Sequence, residues 1–285
     1  MLDSSIKTTV TMHRRHALTV LVMGSLISSP AATLAQSSGF DHTYAQWDGL
    51  LKAHVKWLPD GKQSRVDYRG FASQRAVLHQ VLAQWSEVTS AGFAGFTPEQ
   101  RMAFLINAYN GFTVELILTQ YPNLKSIKDL GSLLRSAWRG KFFSLLGESR
   151  NLDWIENEQL RLKFSDPRVH TAINCASIGC PALRPEAFTA GTLNAQLADG
   201  MSRFMGDHTR NRYNTESGKL EVSAIFKWFR EDFEKGNQGF SRLDDVFAVY
   251  ADQLTDDSIA RAKLASKTVG VVFLEYDWSL NDLGR

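Results

Sequence analysis

The stretch from Thr97 to Gln120 constrains the fold of this chain more than any other. From Phe104 to Val114 it reads Phe-Leu-Ile-Asn-Ala-Tyr-Asn-Gly-Phe-Thr-Val, apolar nearly all the way round at helical spacing. A helix without a polar face has to be buried on every side, so the rest of the chain must wrap around it. Thr97 suits the N-cap and Pro98 the first helical position, and Pro122 stops the helix shortly after Gln120. Asn107 and Asn110 fall three apart and share a face. A buried amide left unpaired costs about 1–3 kcal/mol, so the two either brace a neighbouring loop or line a pocket.

The other segments alternate short helices with few strands. Helical spacing of Tyr44, Trp47, Leu50, Leu51 and Val55 predicts a helix within Phe40–Lys56, and Pro59-Asp60-Gly61 predicts a turn. Val66-Asp67-Tyr68 reads as a strand, and 73–87 as a helix with Val77, Leu78, Val81, Leu82 and Trp85 inward. Further helices are expected at 152–162, 192–205 and 243–254, with another opened by Ser223. Strands are expected at 141–146, 168–174, 219–222 and, in the core, 269–276. The sum is a helix-rich α+β domain around a small sheet, with the Asn107/Asn110 helix against the strand carrying His170. No Pro/Gly/Ser linker divides the chain after its start, which predicts one domain: an N-terminal helical part at 36–95, continuous with 96–281.

Residues 1–35 stand apart. Lys7, His13, Arg14, Arg15 and His16 precede an apolar run from Ala17 to Ile27, then Pro30 and the small-residue ending Thr33-Leu34-Ala35. This is the pattern of a signal peptide cut after Ala35, and it predicts a periplasmic or secreted protein. Starting at Met12 gives a more regular basic region than Met1, and Arg14-Arg15 leaves a twin-arginine route open beside the general one. Of 32 basic and 30 acidic residues, cleavage removes Lys7, Arg14, Arg15 and Asp3, leaving 29 of each. That neutrality, without a basic run, argues against a nucleic-acid partner. No apolar run reaches the roughly 18 residues of a membrane span.

Two cysteines exclude a multi-disulfide scaffold and any four-cysteine metal site. Both fall in Asp166-Pro-Arg-Val-His170-Thr-Ala-Ile-Asn174-Cys175-Ala-Ser-Ile-Gly-Cys180-Pro-Ala-Leu-Arg184. Three readings compete. A Cys175–Cys180 disulfide would close a short loop, worth about 2 kcal/mol in the loop-entropy model. Alternatively, one cysteine is a thiolate nucleophile activated by His170. A metal held by His170, Cys175 and Cys180 is the third, against an unusual four-residue gap for zinc. On an extended strand His170 and Asn174 share a face that Cys175 does not, so the chain must bend after Asn174 for His170 to reach the thiol. A third segment, Val222 to Phe233, has Ser223 as N-cap and Ile225, Phe226, Phe229 and Phe233 as an inward stripe, with Trp228 and Asp232 on another face, able to border a pocket.

Together these segments resemble the family catalogued as domain of unknown function 547. The likeness is carried by Phe104 to Asn110, by His170 to Arg184, by Ile225 to Phe233, and by Tyr-Asp-Trp-Ser-Leu-Asn at Tyr276–Asn281. It spans about Phe96 to Asn281. A tryptophan common after the first phenylalanine is Leu105 here, and a histidine that often follows Ile-Glu is Asn157. The resemblance implies a shared fold and pocket and supplies no reaction; a distant likeness to papain-like and transglutaminase-like folds is analogy alone.

The preferred expectation is a cysteine-dependent hydrolase or acyl transferase, with Cys175 as nucleophile and His170 as base. Asn174, Asn107 or Asn110 would orient the imidazole or donate to an oxyanion, with Cys180 in the same site. Asn107, Asn110, Arg184 and Trp228 are the expected substrate contacts, for a small molecule or a peptide. The rivals are a binding module locked by a Cys175–Cys180 disulfide and a thiol–disulfide oxidoreductase. No cofactor motif is present: there is no Gly-x-Gly-x-x-Gly, Walker loop or His-Glu-x-x-His.

Overall fold

In the computed structural model, which describes residues 39–131 and 136–284, the helix Pro98–Leu118 runs through the middle of the fold. The signal peptide expected at residues 1–35 lies outside the described residues. Thr97 and Gln100 cap the central helix reciprocally: Thr97 Oγ1 accepts the Gln100 N–H at 3.2 Å, and Gln100 Oε1 accepts the Thr97 N–H at 2.9 Å. Every residue from Met102 to Val114 is buried. Truncating one of them, such as Phe104, would leave a cavity costing about 3–5 kcal/mol. The helix Arg75–Ser86 lies so close that a Cβ on Gly111 would meet the Trp85 ring at 2.7 Å. On another side Phe143 stacks on Phe112 at 3.9 Å.

This core extends from Tyr44 to Leu197 and takes in Leu280. A second cluster, from Met201 to Leu264, gathers around Phe226, Phe233, Val246 and Phe247. The helix Leu193–Met205 joins them, giving Leu193 and Leu197 to the first and Met201, Phe204 and Met205 to the second. Phe40–Arg285 forms one compact unit. Among the described residues no helix is long and apolar enough to cross a membrane.

The sheet component is smaller and more scattered than one small sheet. Val55–Trp57 pairs antiparallel with Ser64–Val66 around the Pro59-Asp60-Gly61 turn, and Phe143–Leu145 pairs antiparallel with Glu148–Arg150. Arg212–Asn214 and Lys219–Val222 are antiparallel, with Val271–Phe273 added parallel at the edge. The fold is α+β and rich in short helices.

Several local expectations are corrected. The segment 168–174 is not a strand: Pro167–Thr171 is a 3₁₀ turn opened by Asp166, whose Oδ1 accepts the Arg168 N–H at 3.0 Å. Pro at the first helical position and an Asp cap outweigh the β-branched Val169, Thr171 and Ile173. The Asn107/Asn110 helix therefore packs against this turn, not against a strand. The expected core strand at 269–276 is a three-residue edge strand with Val272 38 % exposed. Tyr68 belongs to a helix, Tyr68–Ser73, capped by Asp67. The helix expected at 152–162 is wound as a π-helix over Trp154–Leu160. The helix after Ser223 breaks at Phe229 into Ile225–Trp228 and Arg230–Glu234.

Candidate functional site

The loop from Asn174 to Pro181 is built by amides. Asn110 reaches out of the central helix, donating to the Ala172 carbonyl at 3.0 Å and accepting the Asn174 N–H at 2.8 Å. Asn174 in turn donates to the Pro181 carbonyl at 2.8 Å and accepts the Ala176 N–H at 2.8 Å, tying both ends of the loop together. Ala176 sits at φ 64°, a left-handed conformation that costs a non-glycine residue about 1–2 kcal/mol and sharply reverses the chain. The C-terminal segment fastens the other side. Gly179 N–H donates to the Asp277 carbonyl, Ile178 N–H to Ser279, and Asn281 N–H to Ala176. A buried Arg210, paired with Asp207 at 2.6 Å, donates to the Cys180 carbonyl.

The reversal brings the two sulfurs within 2.8 Å of each other as free thiols. Cys180 donates its S–H to Cys175 Sγ, and the Cys175 N–H donates to Cys180 Sγ at 2.9 Å. The Tyr276 hydroxyl lies 3.1 Å from Cys175 Sγ. The thiols are unequal. Burial alone would raise the Cys175 pKa, but hydrogen bonds led by those of Cys180 and Tyr276 outweigh it and bring the thiol down to about 7. Cys180 is pushed well above the ordinary thiol range, first by burial and then by its neighbour's thiolate. Cys175 is half-buried and Cys180 buried.

Both sulfurs line a cavity of about 370 Å³, within the range of about 300–1,000 Å³ typical of small-molecule sites. His170 and Trp228 line it as well. His170 Nε2 lies 2.8 Å from Asp232 Oδ2, and its ring stacks on Phe229 at 4.0 Å. Arg161 Nε and Lys235 Nζ also donate to Asp232, at 2.5 and 2.8 Å. Burial would raise the Asp232 pKa; these three donors prevail and hold it well below the usual carboxylate range. An ionised carboxylate only accepts, so Nε2 carries the proton. Burial lowers the imidazole's own pKa, against the hydrogen bond and the charge of Asp232, which raise it. Among the described residues no hydrogen bond joins His170 to either sulfur; those of Cys175 run to Cys180 and Tyr276.

Glu156 also lines the cavity, from the π-helix. Burial raises its carboxyl to about 7, against the opposing hydrogen bond from Tyr109 Oη at 3.1 Å. Trp138 Nε1 donates to that same hydroxyl at 3.1 Å. Among the described residues no three His, Cys, Asp or Glu side chains are grouped to hold a metal ion.

Of the residues expected at the site, His170, Cys175, Cys180 and Trp228 meet in the cavity. The others are engaged elsewhere. Asn174 and Asn110 shape the loop from behind. Asn107 donates to the Phe188 carbonyl at 2.8 Å and accepts its N–H at 3.0 Å, bracing a different segment. Arg184 pairs with Asp199 at 2.5 Å and Glu186 at 2.9 Å. Sequence reading gave no role to Tyr109, Glu156 or Tyr276, and gave Asp232 only a place beside Trp228 at the border of a pocket, not a bond to His170. Their signal was present: Tyr109 and Tyr276 fall in motifs that carried the resemblance, and Asp232 lies four residues after Trp228.

Residues 93–205 match the family described as "Protein of unknown function, DUF547". This segment is a DUF547 domain. It contains the central helix, the π-helix and the cysteine loop, and so supplies Tyr109, Glu156, His170, Cys175 and Cys180. The cavity is completed by residues beyond the DUF547 match, among them Trp228, Phe229, Tyr276 and Trp278. The match stops short of the Ile225–Phe233 and Tyr276–Asn281 motifs. No curated protein and no solved structure matches the chain, and the papain-like and transglutaminase-like likeness stays an analogy.

Proposed function

We propose that the chain is a thiol–disulfide exchange enzyme in which Cys175 attacks and Cys180 resolves. The observation that carries this reading is the pair of unbridged sulfurs 2.8 Å apart, one thiol depressed to about 7 and the other raised. An attacking thiol works best with a pKa near the ambient pH, because the thiolate is then populated and still strongly nucleophilic. The four-residue gap is wider than Cys-x-x-Cys; the left-handed Ala176 compensates by folding the loop back on itself.

The steps balance without a cofactor. Cys175 thiolate attacks one sulfur of a substrate R–S–S–R′, the S–S bond breaks, and R′S⁻ leaves. Cys180, its proton passing to the departing thiolate, then attacks Cys175 Sγ, closes the intramolecular bridge and releases RS⁻. Two electrons go from the dithiol to the substrate; two equivalents of an external thiol restore the free pair. With a signal peptide cut after Ala35, the protein works in the periplasm or outside the cell, where disulfides persist.

A second reading, a cysteine hydrolase or acyl transferase, is favoured by one observation: His170, oriented by Asp232, lines the same cavity as the Cys175 thiolate. One experiment separates the two. Purified reduced protein is mixed with a small disulfide or a small thioester, and products are followed by thiol release and intact mass. Exchange predicts two thiols released per protein and loss of two hydrogens from the chain, with Cys180→Ala arrested as a mixed disulfide on Cys175. Turnover of the thioester by Cys180→Ala, with no bridge formed in the wild type, would replace exchange by hydrolysis.

A further inference from the structure

We propose, resting on the exchange reading, that the substrate is a low-molecular-weight disulfide bearing a flat aromatic or conjugated group, and that this group stacks on Trp228. The cavity beside Cys175 is walled by rings. Trp228 stacks on Trp278 at 5.7 Å with 26° between planes, and Tyr276 lies 4.9 Å from Trp228 and 4.5 Å from Trp278. Trp138 meets Trp278 edge-on at 5.9 Å. These separations are direct ring-to-ring contacts, leaving no gap between rings for a caged cation, which needs to sit within about 6 Å of several open faces. The wall is therefore a platform.

Trp278 is not its free part, because Lys128 Nζ covers that ring at 4.9 Å. Trp228 is 47 % exposed, although it belongs to a short helix whose Ile225 and Phe226 are buried. An aromatic side chain held rigidly by two neighbouring rings yet left open to a cavity is placed to meet another flat apolar surface. Tyr276 links this platform to the chemistry: its ring touches Trp228 and its hydroxyl touches Cys175 Sγ. A group stacked on Trp228 is thereby held next to the sulfur that attacks. The size follows from the space. At about 30 Å³ per water, 370 Å³ holds roughly a dozen waters, enough to take in a small disulfide whole.

The test compares three substrates with the full mature chain: an aromatic disulfide, an aliphatic disulfide of the same charge, and an oxidised, unfolded protein. Each rate is divided by the rate of the same substrate with free cysteine, which removes intrinsic reactivity. The expected result is a normalised preference of about tenfold for the aromatic disulfide, the size of one good aromatic contact. Trp228→Ala should bring that ratio close to one, and Trp228→Phe should keep most of it. Equal normalised rates, a ratio unaffected by Trp228→Ala, or a preference for the unfolded protein would overturn the substrate assignment and leave exchange standing. Failure to react with any disulfide would overturn both.

Discussion

Replacing Tyr276 by Phe removes one hydroxyl from the thiol site and little else. The ring remains packed between Trp228 and Trp278, and the hydroxyl 3.1 Å from Cys175 Sγ is lost. A hydrogen bond to a charged group is worth about 1.5–3 kcal/mol, and one pKa unit corresponds to about 1.36 kcal/mol, so the bond accounts for about 1–2 units. Cys180 still donates to the thiolate, which puts the effect at the lower end. The Cys175 pKa should therefore rise from about 7 to about 8. At pH 7 the thiolate fraction falls from about one half to about one tenth. The thiolate that remains is about two- to threefold more nucleophilic, since reactivity rises with pKa at a Brønsted slope of about 0.4–0.5. A single-pH rate would thus understate the change to about twofold. The measurement is the pH profile of iodoacetamide alkylation at Cys175, followed by peptide mass in the chain that keeps Cys180, with and without Tyr276→Phe, and read as the midpoint of each curve. Equal midpoints, or a midpoint lowered in the Phe variant, would refute the role of Tyr276 as a thiolate donor.

The same latch can be displaced from behind: a Cβ on Gly179 would come within 2.9 Å of both the Asp277 carbonyl and the Tyr276 ring. Gly179→Ala should destabilise the chain by about 1–3 kcal/mol in urea unfolding and raise the Cys175 midpoint much as Tyr276→Phe does; an unchanged midpoint would show that the latch absorbs the methyl group. Glu156 should make stability pH-dependent. Its carboxyl is raised from 4.5 to about 7, so between those values the folded chain keeps a proton that the unfolded chain has released, and stability falls as pH rises through this window. Glu156→Gln should remove a fall on the order of 2–3 kcal/mol between pH 4 and pH 8, and parallel curves for variant and wild type would contradict it. Asn107→Ala leaves the buried Phe188 N–H and carbonyl unpaired, so a loss of about 2–4 kcal/mol is expected with the thiol midpoint unmoved. A shifted midpoint there would place Asn107 in the thiol site after all.

Features written locally were legible in the sequence. The central helix announced itself by its apolar run, its Thr97 N-cap followed by Pro98, and its terminating Pro122, because helix starts and stops depend on residues a turn apart. The pairing of Cys175 with Cys180 was equally local, since a five-residue separation leaves the sulfurs few places to go. Local rules failed where two of them conflicted. At 168–174 the β-branched residues predicted a strand, and the Asp166-Pro167 start produced a 3₁₀ turn. The two asparagines were correctly read as buried, but which backbone each would meet was not a local question: Asn107 turned to Phe188 and Asn110 to the cysteine loop.

Tertiary packing completes the chemistry of the thiol. Beside the local Cys180, the donor that lowers Cys175 further comes from Tyr276, 101 residues along, and the carboxylate that fixes the His170 tautomer comes from Asp232, 62 residues along. The Glu156 carboxyl is raised by burial in a wall that Tyr109 and Trp138 complete. A pKa is set by desolvation and by donors within hydrogen-bond reach, and both depend on which distant segments the fold brings together. Local residue patterns were enough to specify a buried helix and two neighbouring cysteines. The packing of the C-terminal segment against the cysteine loop determined which of those cysteines is poised to react.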